Sequence, residues 1–328
     1  MQLHCNKKSY SVLTMMSAAP TVDRTLIVAT KLHIGGLVIV RTLWLSFCSV
    51  VLFLIPAKAQ EAPYFVTYDH HLEEPRNLEI GTSTTLGVPR SGQRFYLAPY
   101  MELEYGLKAW WTTEFYLEGQ STNGDSAVFT GWRLENRFRV FNREQRINPI
   151  LYIEYENVNE ATRIQKEIVG NSPSFGEPNA ELVNTRSHEL ETKLILSSDV
   201  HDWNLSENFI VEKNLSASEG FEFGYSLGFS RPLGTMASAG NCHFCRENFA
   251  AGLELYGGLG STNGFGLHDT THYLAPVISW QLSDNASLHI SPAIGLTQQS
   301  NPVLLRFGYS CEIRGFGRKV AQLFGGKP

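Results

Sequence analysis

Between Asn77 and Ile313 the chain repeats one pattern: segments of ten to fourteen residues alternate apolar and polar side chains, with turn residues between them. The clearest segment places Phe221, Phe223, Tyr225, Leu227 and Phe229 between Glu222, Gly224, Ser226, Gly228 and Ser230. Successive side chains of a strand point to opposite faces, so such a segment has one large apolar face and one small or charged face. A chain built almost wholly of two-faced strands folds either as a soluble sandwich or as a barrel.

Twelve segments follow this rule. The first carries Leu78, Ile80, Thr82, Thr84 and Leu86 on one face. The second sets Phe95, Leu97, Pro99, Met101, Leu103 and Tyr105 against Tyr96, Tyr100, Glu102 and Glu104. The third sets Trp111, Thr113, Phe115 and Leu117 against Lys108, Glu114 and Glu118, and the fourth Val128, Trp132, Leu134 and Phe138 against Arg133, Glu135, Arg137 and Arg139. Leu151, Ile153 and Tyr155 oppose Glu154 and Glu156; Leu190, Leu194 and Leu196 oppose Glu189, Glu191 and Lys193. Trp203, Leu205, Phe209 and Val211 share a face with a discordant Glu207. The eighth segment is the one quoted first, with Glu222 on its polar face; the ninth sets Leu253, Leu255 and Leu259 against Glu254 and Tyr256. Leu274–Leu282 and Leu288–Leu296 are the next two, and in the last Val303, Leu305, Phe307 and Tyr309 oppose Arg306 and Glu312. Pro99 and Pro276, each closing a Tyr-Leu-Ala-Pro run, sit inside strands, where proline removes a ladder donor.

Two features favour a membrane barrel over a sandwich. Sandwich strands average about 5–6 residues, whereas a tilted membrane strand needs about 9–11. The polar faces hold Glu, Arg, Tyr and Gly rather than the Lys-rich surface that meets bulk water. Connections also alternate in length. Turns near Gly106, 197–202 and 283–285 are short, and loops at 120–125, 159–186 and 260–270 are longer, as expected for periplasmic turns and outer loops. Counting from an inside N-terminus, Tyr105, Trp111, Phe138, Trp203, Phe229 and Trp280 then gather at the inner rim as an aromatic girdle.

The N-terminus carries an export pattern. Arg41 precedes an apolar run from Leu43 to Ile55, and Ala57-Lys58-Ala59 offers a small-x-small cleavage site. The run is shorter than the roughly 20 residues of a spanning helix. The expected organisation is therefore an N-terminal extension and signal peptide over 1–59, a periplasmic segment over 60–76, a barrel over 77–313 and a tail over 314–328.

With alternation, even strand count and loop asymmetry in place, residues 77–313 resemble bacterial outer-membrane β-barrel proteins. The resemblance implies an all-β fold, a closed antiparallel transmembrane barrel of about twelve strands, in the outer membrane of a Gram-negative-type bacterium. In such proteins the last strand usually ends the chain in an aromatic residue read by the insertion machinery. Here Phe316 follows the last strand and a tail runs on to Pro328.

The interior faces then carry Glu102, Glu104, Glu114, Glu118, Glu135, Glu154, Glu156, Glu189, Glu191, Glu212, Glu222, Glu254 and Glu312 against Lys108, Arg133, Arg137, Arg139, Lys193 and Arg306. Charges inside must pair or face water. The Arg133, Arg137 and Arg139 cluster is expected to neutralise neighbouring glutamates rather than bind an anion. Eight strands are filled by side chains and sixteen leave a channel, so at twelve both a filled lumen and a narrow, mildly cation-favouring pore are open.

Other motifs are weaker. Cys242-His-Phe-Cys245 lies in a connection on the periplasmic side. In an exported protein a structural disulfide is favoured over redox chemistry or half of a metal site. Cys311 falls on the apolar face, facing lipid. Asp69-His70-His71-Leu72-Glu73-Glu74 has metal-binding residue types without a spaced ligand set, and is expected to be a solvated segment; His268, Asp269 and His272 are similar. His272 has no GxSxG or comparable nucleophile beside it, so catalysis is not expected, and no cofactor. Net charge of −5 without a long basic run argues against nucleic acid. The expected partners are outer-membrane lipid and small solutes or ions. The leading reading is a narrow pore or small-solute channel. A closed barrel with a structural or surface role for loop 159–186 is second, an outer-membrane enzyme third, and a soluble secreted sandwich the fold-level alternative.

Overall fold

The computed structural model describes residues 63–90, 94–163, 178–234, 244–267 and 269–324. The expected leader, residues 164–177 of loop 159–186, Cys242 and His268 lie outside them.

The strands are β1 (Leu78–Val88), β2 (Tyr96–Lys108), β3 (Trp111–Thr122), β4 (Ala127–Arg139), β5 (Asn148–Asn159), β6 (Arg186–Val200), β7 (Trp203–Asn214), β8 (Glu222–Pro232), β9 (Phe249–Ser261), β10 (Gly264–Phe265), β11 (His272–Ser283), β12 (Ala286–Gly295) and β13 (Val303–Ile313). The two-residue β10 only extends β9. The other twelve each pair antiparallel with their chain neighbours, and β13 pairs with β1 from Leu78↔Ile313 to Val88↔Val303. The result is a closed barrel of twelve strands. A short helix, α1 (Asn179–Leu182), lies in the loop before β6, and α2 (Phe316–Leu323) follows β13. No helix among the described residues is long and apolar enough to cross a membrane.

The alternation sorts as a membrane barrel requires. Ile80, Leu97, Met101, Phe115, Leu134, Leu151, Ile153, Leu194, Phe209, Leu227, Ile290 and Phe307 are exposed outside, while Glu114, Glu118, Glu135, Glu154, Glu156, Glu191 and Glu254 are buried within. Aromatic rings cluster at the rim where β2 ends and β3 begins. Trp110 stacks on Trp111 at 6.0 Å, Trp111 meets Phe138 at 5.8 Å, and Tyr105 meets Phe316 of α2 edge-on at 6.4 Å. Trp203 stacks on Phe229 at 4.1 Å and Trp280 on Phe249 at 5.8 Å on the same rim.

The structure departs from the sequence reading in several places. Glu118 pairs with Gly131 but Gly119 with Phe129, leaving Thr130 as an extra, buried residue. This bulge shifts the alternation of β4 by one, so Val128 leaves the face of Trp132, Leu134 and Phe138, and Phe129 takes an outward place. The bulge needs Gly131, because a Cβ there would stand 2.2 Å from the Asn157 carbonyl oxygen. Lys108 is not inside: it is exposed at the rim turn, its ammonium 5.4 Å from the Trp110 ring centroid. The prolines do not end their strands. Pairing of β11 with β12 skips from Leu274↔Ile294 to Ile278↔Ile290, around Pro276 and Pro292, while the other side of β11 pairs with β9 without a break. Residues 63–74, expected on the periplasmic side, instead run inside the barrel, as detailed below.

Glu207 is the one carboxylate among the outward positions of β7, opposite Leu196 and Leu227 and in a shallow groove with Leu205, Phe229 and Leu253. A carboxylate on a lipid face costs stability. Glu207→Leu is expected to stabilise the folded barrel by on the order of 1 kcal/mol, read as a raised denaturant midpoint in lipid vesicles; an unchanged or lowered midpoint would show that Glu207 does not meet lipid.

Candidate functional site

The lumen is the concave, charged region of the molecule, and its first occupant is the chain itself. Pro75 bridges to Gly106 at the rim, and from there residues 74 back to 63 form a strap across the lumen. The strap has no strand partner of its own, so side chains of the wall satisfy its backbone. The Glu254 carboxylate accepts three consecutive N–H groups: Val66 at 2.9 Å and Thr67 at 2.8 Å on one oxygen, Phe65 at 3.2 Å on the other. The Asn208 side chain accepts from the Tyr68 N–H at 2.7 Å and donates to the Tyr68 carbonyl at 2.8 Å, doing what a neighbouring strand would do. Tyr64 donates its hydroxyl to Asn204 at 3.1 Å, and Tyr68 donates its own to Glu135 at 2.9 Å.

Small residues on the wall make room for the strap. A Cβ on Gly228 would lie 2.6 Å from the Tyr64 ring and 2.9 Å from the Thr67 methyl. Phe65 and Val66 pack on an apolar interior patch formed by Tyr256, Tyr273, Ala275, Ala293 and Leu304. Tyr68 and Leu72 pack on Ile150, Tyr152 and Ile195 across the lumen.

Between strap and wall a cavity of ≈ 230 Å³ remains, lined by Glu102, Glu104, Glu114, Arg133, Arg137 and Arg306 among others. The expected lumen residues divide by position. Arg133 lies between Glu118 and Glu154, donating to both Glu154 oxygens at 3.1 Å, with Tyr116 under its guanidinium at 4.2 Å. Arg137 pairs with Glu114, with Glu104 at 2.6 Å and with Glu135 at 3.1 Å. Lys193 pairs with Glu191 at 2.8 Å and lies 4.1 Å from the centre of the Tyr152 ring. Arg139 instead donates to the His70 carbonyl of the strap at 3.2 Å. Glu156 and Glu189 are buried towards the outer end, with Glu212. Glu222 is half-buried where β8 begins, and Glu312 sits at the rim where β13 ends, with Asn77 and Arg314. Arg306 faces the Tyr256 ring at 5.1 Å. Carboxylates therefore outnumber cations on the inward faces of β2–β7, and Arg133 and Arg137 are each held by more than one carboxylate.

The outer mouth is also narrowed. Ala161, Thr162 and Arg163, where the long loop leaves β5, are buried, and the Thr162 hydroxyl reaches Glu118 at 3.4 Å. Asn179 of α1 is buried, its N–H donating to Asp125 at 2.7 Å. That bond holds the Asp125 carboxyl below its ordinary pKa.

Among the weaker motifs, Cys245 is disulfide-bonded while Cys311 is a free thiol; Cys242 lies outside the described residues. The His272 ring meets the Tyr225 hydroxyl at 3.0 Å and the Thr270 hydroxyl at 2.9 Å. The Asp69-His70-His71 run is inside the barrel mouth, not in solvent. His71 Nδ1 is 2.7 Å from Asp69, and His70 Nδ1 is 2.8 Å from the Ser197 hydroxyl. Burial, with the charge of His71, lowers the His70 pKa. Burial opposes charge on Asp69, yet the His71 hydrogen bonds outweigh it and hold that carboxyl below the usual range. Strap residues Tyr64 to Tyr68, with Asn204, Asn208 and Asp199 on the wall, are not among the site residues expected from the sequence. Their only signal was the inward parity of Asn204 and Asn208.

No protein-family profile matches the sequence, and no curated protein matches it. Solved structures do share the barrel. An outer-membrane channel from Pseudomonas putida F1 aligns over 76% of this chain and 100% of its own, at 11% identity and a TM-score of 0.49. The KdgM porin in complex with disordered oligogalacturonate aligns over 72% and 98%, at 7% identity and a TM-score of 0.44. The translocator domain of the autotransporter NalP from Neisseria meningitidis aligns over 74% and 89%, at 9% identity and a TM-score of 0.40. The likeness is one of architecture and extends to no substrate.

Each buried N–H left without an acceptor costs about 1–3 kcal/mol. Glu254→Leu removes the acceptor of three at once and is expected to free the strap from the wall. In hydrogen-exchange mass spectrometry of the detergent-solubilised protein, amides 64–68 should lose protection while the strands keep theirs. Retained strap protection would show that Glu254 does not hold it.

Proposed function

We propose that the protein is an outer-membrane channel for small polar solutes, favouring cations, whose lumen its own N-terminal strap narrows from the periplasmic side. The observation that carries this reading is the way the strap is held. Apart from two apolar contact patches, it is attached largely by hydrogen bonds to wall side chains, among them Glu254, Asn208, Asn204, Glu135, Arg139 and Ser197, groups that water or a polar solute can satisfy in its place. Beside the strap the cavity is lined by carboxylates, which outnumber its cations and neutralise Arg133 and Arg137, a lining that favours cations over anions. An apolar exterior and an aromatic rim suit residence in an outer membrane.

The second reading, a closed barrel with a structural or surface role, draws support from the inward start of the long outer loop at Ala161–Arg163. In that reading the lumen is blocked twice, and removing the strap opens nothing.

Planar-bilayer recordings separate the two. The chain from residue 60 should give rare, small conductance steps. A variant lacking residues 60–74 should give larger and more frequent steps, with a reversal potential on the cation-selective side under a salt gradient. A folded deletion variant that stays silent would overturn the channel reading in favour of the closed barrel.

A further inference from the structure

The strap brings two adjacent histidines to the end of β6, and their geometry is that of a ligand set. His70 Nε2 lies 3.8 Å and His71 Nε2 3.6 Å from the same atom, Asp199 Oδ2. These separations are too long for hydrogen bonds. They are close to the spacing of donors around one metal ion: bonds of about 2.0–2.2 Å at a tetrahedral angle set two donors roughly 3.3–3.5 Å apart. One ligand atom from each of the three residues lies within 4.8 Å of the other two, a cluster that one metal ion can bridge.

The outer partners point the same way. A metal-bound histidine uses one ring nitrogen and gives the proton of the other to a carboxylate, carbonyl or water, which fixes tautomer and ring orientation. Here His71 Nδ1 meets Asp69 Oδ2 at 2.7 Å, and Asp69 Oδ1 also accepts the His71 N–H at 2.9 Å. His70 Nδ1 meets the Ser197 hydroxyl at 2.8 Å, with Ser206 and Asn204 next to that hydroxyl at 2.9 and 3.3 Å. In both rings Nδ1 makes the outer contact, which puts the ligand role on the Nε2 atoms that lie near Asp199. The two rings lie with centroids 4.3 Å apart and tilted by 32°, side by side rather than on opposite faces as alternating residues of a strand would place them. His70 is fully buried, but the His71 and Asp199 side chains remain about a third exposed, at 30% and 34%, which gives an ion a way in and a place for water as fourth ligand.

We propose that His70, His71 and Asp199 bind a divalent transition-metal ion of the zinc type, through two imidazole nitrogens and one carboxylate oxygen, and that the ion pins the strap to β6. Imidazole donors select zinc, copper and nickel over calcium or magnesium, which prefer all-oxygen sites. One ligand belongs to the wall and two to the strap, so bound metal joins the part that narrows the lumen to the part that encloses it. The site depends on the position of the strap and not on any transported solute.

The test uses the tag-free chain from residue 60, refolded in detergent, stripped with chelator and titrated with Zn2+ against a chromophoric chelator. One Zn2+ per chain should bind in the micromolar range or tighter. His70→Ala with His71→Ala should weaken binding at least tenfold, Asp199→Asn should weaken it with both histidines intact, and His188→Ala should not alter it. Zn2+ should also slow hydrogen exchange of amides 64–72 in the parent chain and not in the double variant. Calcium should neither bind nor compete. Absent stoichiometric binding by the folded parent, or equal binding by Asp199→Asn and the parent, would overturn the proposal. Should the double variant fail to fold, as judged by its heat-dependent gel migration, the Asp199→Asn titration decides alone. A silent bilayer recording alongside tight zinc binding would remove the channel reading and leave the metal site standing.

Discussion

Closure of β13 onto β1 is the constraint from which the remaining structure follows. In lipid no water satisfies a strand edge, so a sheet that spans a membrane must return to its own first strand. Here every residue of β1 has a partner in β13. Once closed, the sheet has one face in lipid and the other in a confined interior. The period-two alternation then assigns each side chain to one or the other. Large apolar residues lie outside at no cost, because the membrane takes the role that a core plays in a soluble protein. What is unusual is the density of charge inside, and closure explains its organisation. Arg133, Arg137 and Lys193 cannot turn to bulk solvent, so each is held between glutamates and over a tyrosine face.

That interior also explains how a segment without regular structure is held inside a barrel. A strap crossing a closed lumen finds no strand edge to pair with. Its N–H groups need acceptors that project from the wall, and Glu254 and Asn208 reach far enough to serve. A carboxylate that takes three successive N–H groups is a compact solution, since those donors all lie on one side of the chain between Phe65 and Thr67. The same wall must also be low where the strap passes, which is why Gly228 faces Tyr64.

Much of this was legible beforehand, and the reason is physical. Strand identity is written in alternation, and β1 and β13 end close to where the pattern ends because lipid on one side and charge on the other leave little freedom of register. The bulge at Thr130 was not legible: Val128 and Phe129 are both apolar, so parity alone does not say which faces out, and the shift depends on Gly131 approaching Asn157. Lys108 followed the parity of β3, but a rim residue with a long side chain answers to the turn and to Trp110. The strap was hidden for a different reason. Residues 63–74 have no period, and their partners lie well over a hundred positions away, at Asn204, Asn208 and Glu254. Nothing local distinguishes such a segment from a solvated one. The His-His pair showed ligand chemistry, but Asp199 enters only through the fold.

The end of the barrel at which the strap enters follows from the direction of the chain. β1 begins at the rim where β2 and β13 end, so the residues just before it enter the lumen through that mouth. Arg76 makes the turn, with a left-handed φ of 70°, and its carbonyl accepts from Gly317 at the start of α2. Asn77 secures the same point: its side-chain oxygen accepts from Gly315 at 2.8 Å and its amide donates to Glu312. The segments just before β1 and just after β13 therefore meet at one rim, where the segment after β13 braces the turn that sends the strap inward. A strap anchored at this turn and held further on by groups that water can replace is able to leave the wall without leaving the barrel. The pair His70–Asp199 lies between the anchor and the Glu254 contact, close to the turn. A contact there closes only a short stretch of chain from the anchor, so it forms at a small entropic cost.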